Sequence, residues 1–222
     1  MASPTSLRID FVSDVACPWC AIGLASLRQA LAKLDGSVQA EIHLQPFELN
    51  PQLPFEGEDA DQHLMHKYGI GEQQLEVNRK AIRDRAAPLG VMINTTPGSR
   101  VWNTFDAHRL LHWADLVDRE QALALKQALL RAYFTDGENV ADHDILVRIA
   151  GEIGLDAKQA RRVLESGDYA DAVRAQERLY QQAGINSVPA TIVNQTQLIP
   201  GGQPPEVFEQ ALREIAQALP EG

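Results

Sequence analysis

Two cysteines, Cys17 and Cys20, are the only thiols of the chain, three positions apart around Pro18-Trp19. Thiols at that spacing can close a disulfide and open it again, and as thiolates they are nucleophiles or metal ligands. Which of these they do depends on the elements that carry them. An alternating apolar run, Leu7, Ile9 and Phe11, precedes the pair and a helical pattern follows it, so a strand gives way to a helix there. A helix N-terminus offers unpaired N–H groups and partial positive charge, and both favour a thiolate over a thiol. The chemistry predicted is thiol–disulfide exchange.

The elements that must hold the pair follow from periodicity and punctuation. Leu7–Ser13 reads as a strand. Cys17 takes an N-cap position and Pro18 the first helical one, where a missing N–H costs nothing. Cys20, Leu24, Leu27, Leu31 and Leu34 then recur at spacings of four and three, one buried stripe stopped at Gly36. Cys20 lies in that stripe and Cys17 at the open helix end. The first sulfur is therefore expected to be exposed and low in pKa, the second shielded and higher. Ala40–Pro46 alternates as a second strand, and a turn-rich loop runs from Pro46-Phe47-Glu48-Leu49-Asn50-Pro51 to Gly57.

From about 59 to 183 the pattern is helical, with helices read at 61–68, 72–89, 102–116, 121–134, two shorter ones, and 169–183. A short extended piece at 91–93 and a turn at 95–99 interrupt it. Asp142, Asp156 and Asp168 are read as N-caps, and Gly154, Gly167 and Gly184 as stops. Strand character returns at 191–193 and at Leu198-Ile199, with a turn at 194–196 between them. A helix follows Pro204-Pro205, its apolar face including Phe208, Leu212 and Ile215.

Composition bounds the function. The chain of 222 residues is 45% hydrophobic and 23% charged, ordinary for a globular protein. A net charge of −10 argues against nucleic acid or an anionic membrane as the main partner. No apolar run approaches the roughly 18 residues of a membrane span. Met1–Asp10 lacks a basic segment followed by an apolar one, so no secretory signal is read and a cytoplasmic setting is expected. In a reducing compartment a lone adjacent thiol pair reads as reactive rather than structural. The oligomeric state is not legible.

Rival readings have less behind them. Half a zinc site would need a second cysteine pair, which the chain lacks. His108 and His112 lie four apart on one helical face but without an evident acidic third ligand, and His63 and His66 offer less. No metal site is assigned. Trp102, Phe105 and Trp113 could form a substrate surface, but aromatics at helical spacing are the usual mark of a core.

The ordered set of motifs resembles the DsbA family of thioredoxin-like proteins, and within it the cytoplasmic FrnE-like branch. The stretches that carry the resemblance are Asp10–Asp14 with Cys17-Pro18-Trp19-Cys20, Pro46–Pro51, Asn103-Thr104 with Ala107–Leu110, Arg131–Phe134, Val188-Pro189-Ala190 and Ile199–Pro204. It implies an α/β thioredoxin fold with a large all-α insertion between an N-terminal βαβ part and a C-terminal ββα part. Residues 1–58 and 184–222 would form the core and 59–183 the insertion. It also implies Cys17 as nucleophile, Cys20 as resolving thiol, and Pro189 as a cis proline facing the disulfide. The backbone of Val188 would pair with an extended substrate, while Asn103 and His108 would line the insertion's side of the site. Gly202 departs from the expected Gly-Ala at 201–202, a loss of only a methyl group.

The implied activity is exchange with thiol- or disulfide-containing proteins or small molecules through a mixed disulfide, with no metal or organic cofactor required. Glutathione stays open as a co-substrate. The alternative is a glutathione-dependent transferase or isomerase of the kappa or hydroxychromene-carboxylate isomerase type. Those relatives typically carry serine at the first thiol position and lack the second thiol, so the intact pair favours exchange.

Overall fold

Strand β1 (Thr5–Ser13) runs straight into the helix that carries the cysteines, α1 (Pro18–Lys33), and the chain returns through β2 (Val38–Pro46). This is a computed structural model that describes residues 4–219. Met1–Ser3, part of the N-terminal stretch read above, and 220–222 lie outside the described residues. β2 pairs parallel with β1, Ile9 opposite Ile42 and Phe11 opposite Leu44. The helical block comprises β3 (Glu58–Asp59), α2 (Ala60–Tyr68), α3 (Glu72–Ala86), β4 (Arg100–Val101), α4 (Phe105–Val117), α5 (Arg119–Arg131), α6 (His143–Glu152), α7 (Ala157–Glu165) and α8 (Ala170–Gln182). The chain then closes with β5 (Ala190–Val193), β6 (Gln197–Pro200) and α9 (Pro205–Ala218). The four-stranded sheet has the order β2-β1-β5-β6, with β5 and β6 antiparallel to their neighbours. It is a thioredoxin fold carrying a helical insertion.

Helix α1 is buried on more than the single stripe expected. Cys20, Ala21, Ile22, Gly23, Leu24, Ser26, Leu27 and Ala30 are all covered, whereas Leu31 is only partly so. The helix packs on α9 and also faces the insertion, so from Cys20 to Leu24 every side is covered, while Trp19 in the first turn stays exposed. Leu7, Ile9, Phe11, Ile22 and Leu27 of the core share one apolar cluster with Leu110, Leu125 and Leu129 of the insertion. Burying each such side chain contributes about 1.5–3 kcal/mol.

Asp142 and Asp156 cap their helices as expected, accepting from first-turn N–H groups at 2.7–3.3 Å. Asp168 does not. Tyr169, left-handed at φ 63°, precedes α8, and the carbonyl of Asp168 is instead bound by Arg109. That buried guanidinium also collects the carbonyls of Val163 and Ser166, which end α7. The helix predicted at 102–116 begins at Phe105, because the Asn103 side chain binds the Phe105 N–H at 2.9 Å. Residues 91–93 form no strand. A π-type turn, Ala132–Asp136, replaces the end of the helix predicted at 121–134, and its Phe134 carbonyl and Thr135 hydroxyl bond Asn94 and Met92. The extended pairing lies instead between β3 and β4. At Gly57, beside that ribbon, φ is +66° and a Cβ would stand 2.3 Å from the Val101 carbonyl oxygen. Among the described residues no helix is long and apolar enough to cross a membrane.

Candidate active site

Cys17 is the N-cap of α1, extended at φ −102° and ψ 113°, with Pro18 at the first helical position. Its carbonyl accepts from the N–H groups of Cys20 and Ala21 at 3.0 and 3.4 Å, while its thiol caps nothing. The expected exposure is absent: Cys17 is only 3% exposed. The loop before β5 accounts for this, since Cys17 Sγ donates to the Val188 carbonyl at 3.6 Å and so lies under that loop. The Val188–Pro189 peptide bond is cis. What the site presents to solvent is Trp19, 39% exposed.

Cys20 is fully buried, and both cysteines are free thiols. Burial first, then the hydrogen bond and charge of Cys17, push the Cys20 thiol well above its ordinary pKa. The charge of Lys126 and the backbone N–H of Asp14 pull it the other way.

Two glycines let three backbone segments meet here. A Cβ on Gly23 would stand 3.0 Å from Pro189 Cγ, and one on Gly202 would stand 2.9 Å from the Trp19 carbonyl oxygen. The Gly201 N–H binds the Pro189 carbonyl at 2.8 Å, joining the turn after β6 to the loop over Cys17. The methyl missing at Gly202 is therefore not neutral, because it would press on backbone at the centre of the Cys-Pro-Trp-Cys turn.

Asp14 fixes the approach to α1. Its carboxylate accepts from Leu49 N at 2.7 Å and Ala16 N at 3.3 Å, and meets His108 Nε2 at 3.3 Å. Burial alone would raise its pKa. The bond and charge of His108, with the Leu49 N–H and Thr104 hydroxyl, hold it below the ordinary carboxylate value. His108 is thus tied to the segment that leads into Cys17, whereas Asn103 spends its amide on Phe105 N and the Leu53 carbonyl. His112 packs against Tyr169 at 5.3 Å and does not join His108. Trp113 is core, and Phe105 lies under the Arg174 guanidinium at 3.8 Å. Among the described residues no group of three or more His, Cys, Asp or Glu side chains is placed to hold a metal.

Several neighbours escaped the sequence reading. Lys126 on α5 is 1% exposed, and only its place on the Ala122–Leu125–Leu129 face signals its burial. Lys67 at the end of α2 donates to Leu49 O at 2.8 Å and Asn50 Oδ1 at 2.5 Å. Burial lowers its pKa, against the charges of Asp14 and Cys17. Glu48, next to Leu49, shares the Nη1 of Arg174 with Glu177, which accepts at 2.9 Å. The second oxygen of each carboxylate is buried without a partner. Burial and the charge of Glu177 raise Glu48 to about 7, although Arg174 opposes them.

Residues 8–213 match the DSBA-like thioredoxin domain, and the chain belongs to that family. It is similar to the structure of a probable DsbA oxidoreductase from Streptomyces coelicolor, at 35% identity and TM-score 0.88 over 97% of this chain and 92% of that one. It is 30% identical to the uncharacterized protein YwbO of Bacillus subtilis, over 93% of this chain and 96% of its relative. The cytosolic disulfide reductase DsbM of Pseudomonas aeruginosa, solved with GSH, shares the fold at TM-score 0.65 and 17% identity, over 95% and 99% of the two chains.

Proposed function

We propose that this protein is a thiol–disulfide oxidoreductase of the FrnE-like branch in which Cys17 exchanges with the substrate and Cys20 resolves the mixed disulfide. The observation that carries the reading is the unequal pair. Cys17 Sγ lies 3.6 Å from the Val188 carbonyl at the helix end, and Cys20 lies behind it with its thiol raised in pKa. In the reducing direction the Cys17 thiolate attacks a substrate disulfide and expels one thiolate. Cys20 then attacks Cys17 and expels the other. In the oxidising direction a substrate thiolate opens the Cys17–Cys20 disulfide. Backbone pairing of an extended substrate with Val188 is the binding mode that suits a loop ending in a strand. Pro189 packs behind it, and Trp19 offers an apolar surface beside it.

No metal or organic cofactor enters this chemistry. A cytoplasmic setting goes with this reading, as for the cytosolic disulfide reductase DsbM that shares the fold. The test is reduction of insulin with and without glutathione, Cys17→Ser serving as control. Turnover that is lost in the variant is expected; equal activity in the variant overturns the nucleophile.

A second reading, a glutathione-dependent transferase or isomerase, is favoured by one observation. The exposed Lys67 ammonium at the end of α2 is bound only to neutral oxygens and feels the charge of Cys17, so it could meet a carboxylate of a bound thiol. GSH in the DsbM structure supports it. Saturable glutathione binding without insulin turnover would favour this reading over the first.

A further inference from the structure

Five titratable side chains are sealed together behind the helix end: Cys17, Cys20, Asp14, His108 and Lys126, none more than 3% exposed. Four of them come with a partner. Asp14 is held by two backbone N–H groups and His108, and Cys17 by the Val188 carbonyl and Cys20. Lys126 is the exception, since it takes part in none of the ion pairs among the described residues.

Its position follows from the insertion. Gln127 and Leu130 of α5 line one wall of a groove of about 400 Å³ whose opposite wall is α1 at Ala21 and Leu24. Lys126 directly precedes Gln127 of one wall and Cys20 directly precedes Ala21 of the other, and both side chains are buried. An apolar residue at this place on the buried face would avoid the desolvation of a charge. A cation kept there in no ion pair, with only the charge of Asp14 acting on it at longer range, answers to an anion that forms during the reaction.

We propose that Lys126 is a positioning residue for the resolving step, supplying the positive charge against which the Cys20 thiolate forms. The inference rests on the exchange reading above. In this step Cys20 Sγ attacks Cys17 Sγ, a Cys17–Cys20 bond forms, and the bond from Cys17 to the substrate sulfur breaks. The electron pair leaves on that sulfur, which takes up the proton released by Cys20. The dithiol has lost two electrons and the substrate disulfide has gained them. Without a nearby cation, a thiol already raised by burial would reach the thiolate too rarely. The electrostatics agree in both directions. Burial lowers the Lys126 pKa while Cys20, Asp14 and Cys17 raise it, and Lys126 in turn lowers that of Cys20.

The test uses the reduced full chain and the aromatic disulfide dithiobis-nitrobenzoate, whose released thiolate is coloured. Attack by Cys17 releases the first equivalent and resolution by Cys20 the second. In Lys126→Met, close in volume and uncharged, the second phase at neutral pH is expected to slow about ten-fold relative to the first. It should recover as the pH is raised, and Lys126→Arg should retain it. A ratio of phases unchanged from the parent overturns the proposal, as does a slowing that does not depend on pH. If Lys126→Met fails to fold, Lys126→Gln is read in the same way. Failure of the exchange reading looks different, since the parent chain would then release its second equivalent no faster than Cys20→Ser.

Discussion

The cysteines announce themselves by spacing, but the residues that make them unequal do so by contact. Gly202 is the plainest case. In the sequence it is a turn glycine one methyl short of expectation. In the fold its missing methyl leaves room for the Trp19 carbonyl, at 2.9 Å from where a Cβ would be. Gly202→Ala is expected to cost about 1–3 kcal/mol by overpacking, read as a lower denaturation midpoint, and to slow reaction at Cys17 by displacing the turn. A variant as stable and reactive as the parent would show that the turn yields freely. Lys126 was readable in principle, since position 126 falls four after Ala122 and three before Leu129 on the buried face. Periodicity marks such a face as covered, yet it does not say which charge is on the other side. Cys17 shows the same limit. A helix end is open by local geometry, and only a loop arriving from 171 residues away covers it.

Elements were most legible where the signal is local. The aspartates at 142 and 156 bind N–H groups two or three positions on, within reach of any sequence reading. The β3–β4 ribbon and the π-type turn were not, because each depends on a partner some 40 residues distant. The joint between the β2 loop and α8 is of the same kind, with Glu48 and Glu177 sharing Arg174 across it. Since the folded pKa of Glu48, about 7, lies above the ordinary 4.5, the folded chain holds that proton more tightly than the unfolded one. This stabilisation is complete below the unfolded value and is lost as the pH rises through the folded one. Glu48→Gln is therefore expected to flatten the fall in stability between about pH 5 and 8 and to be more stable than the parent at the alkaline end, by about 1–3 kcal/mol. Denaturation midpoints measured across that range check it; parallel curves for the two proteins would refute the raised Glu48 pKa.

At the scale of the whole molecule, the order of strands and helices identified the architecture, since a helical block between βαβ and ββα has few other solutions. What the order did not convey is that core and insertion share one apolar cluster, in which Phe11 and Ile22 join Leu110, Leu125 and Leu129. Their unfolding is expected to be a single transition. Trp19 reports from the core and Trp102 and Trp113 from the insertion, so variants retaining one tryptophan each should give coincident denaturant midpoints. Two separated midpoints would mean that the halves stand alone.

The same topology sets an order of events while the chain is being made. Cys17 and Cys20 leave the ribosome before the residues that cover Cys17, which are added some 171 positions later. At typical elongation rates of 5–20 residues per second, the thiols spend roughly 10–30 s without their cover. During that interval they are ordinary cysteines of an unfinished fold, open to any oxidant nearby. The redox centre comes into being only with the loop before β5, so the thiol pair cannot act in its folded setting until that loop has been made.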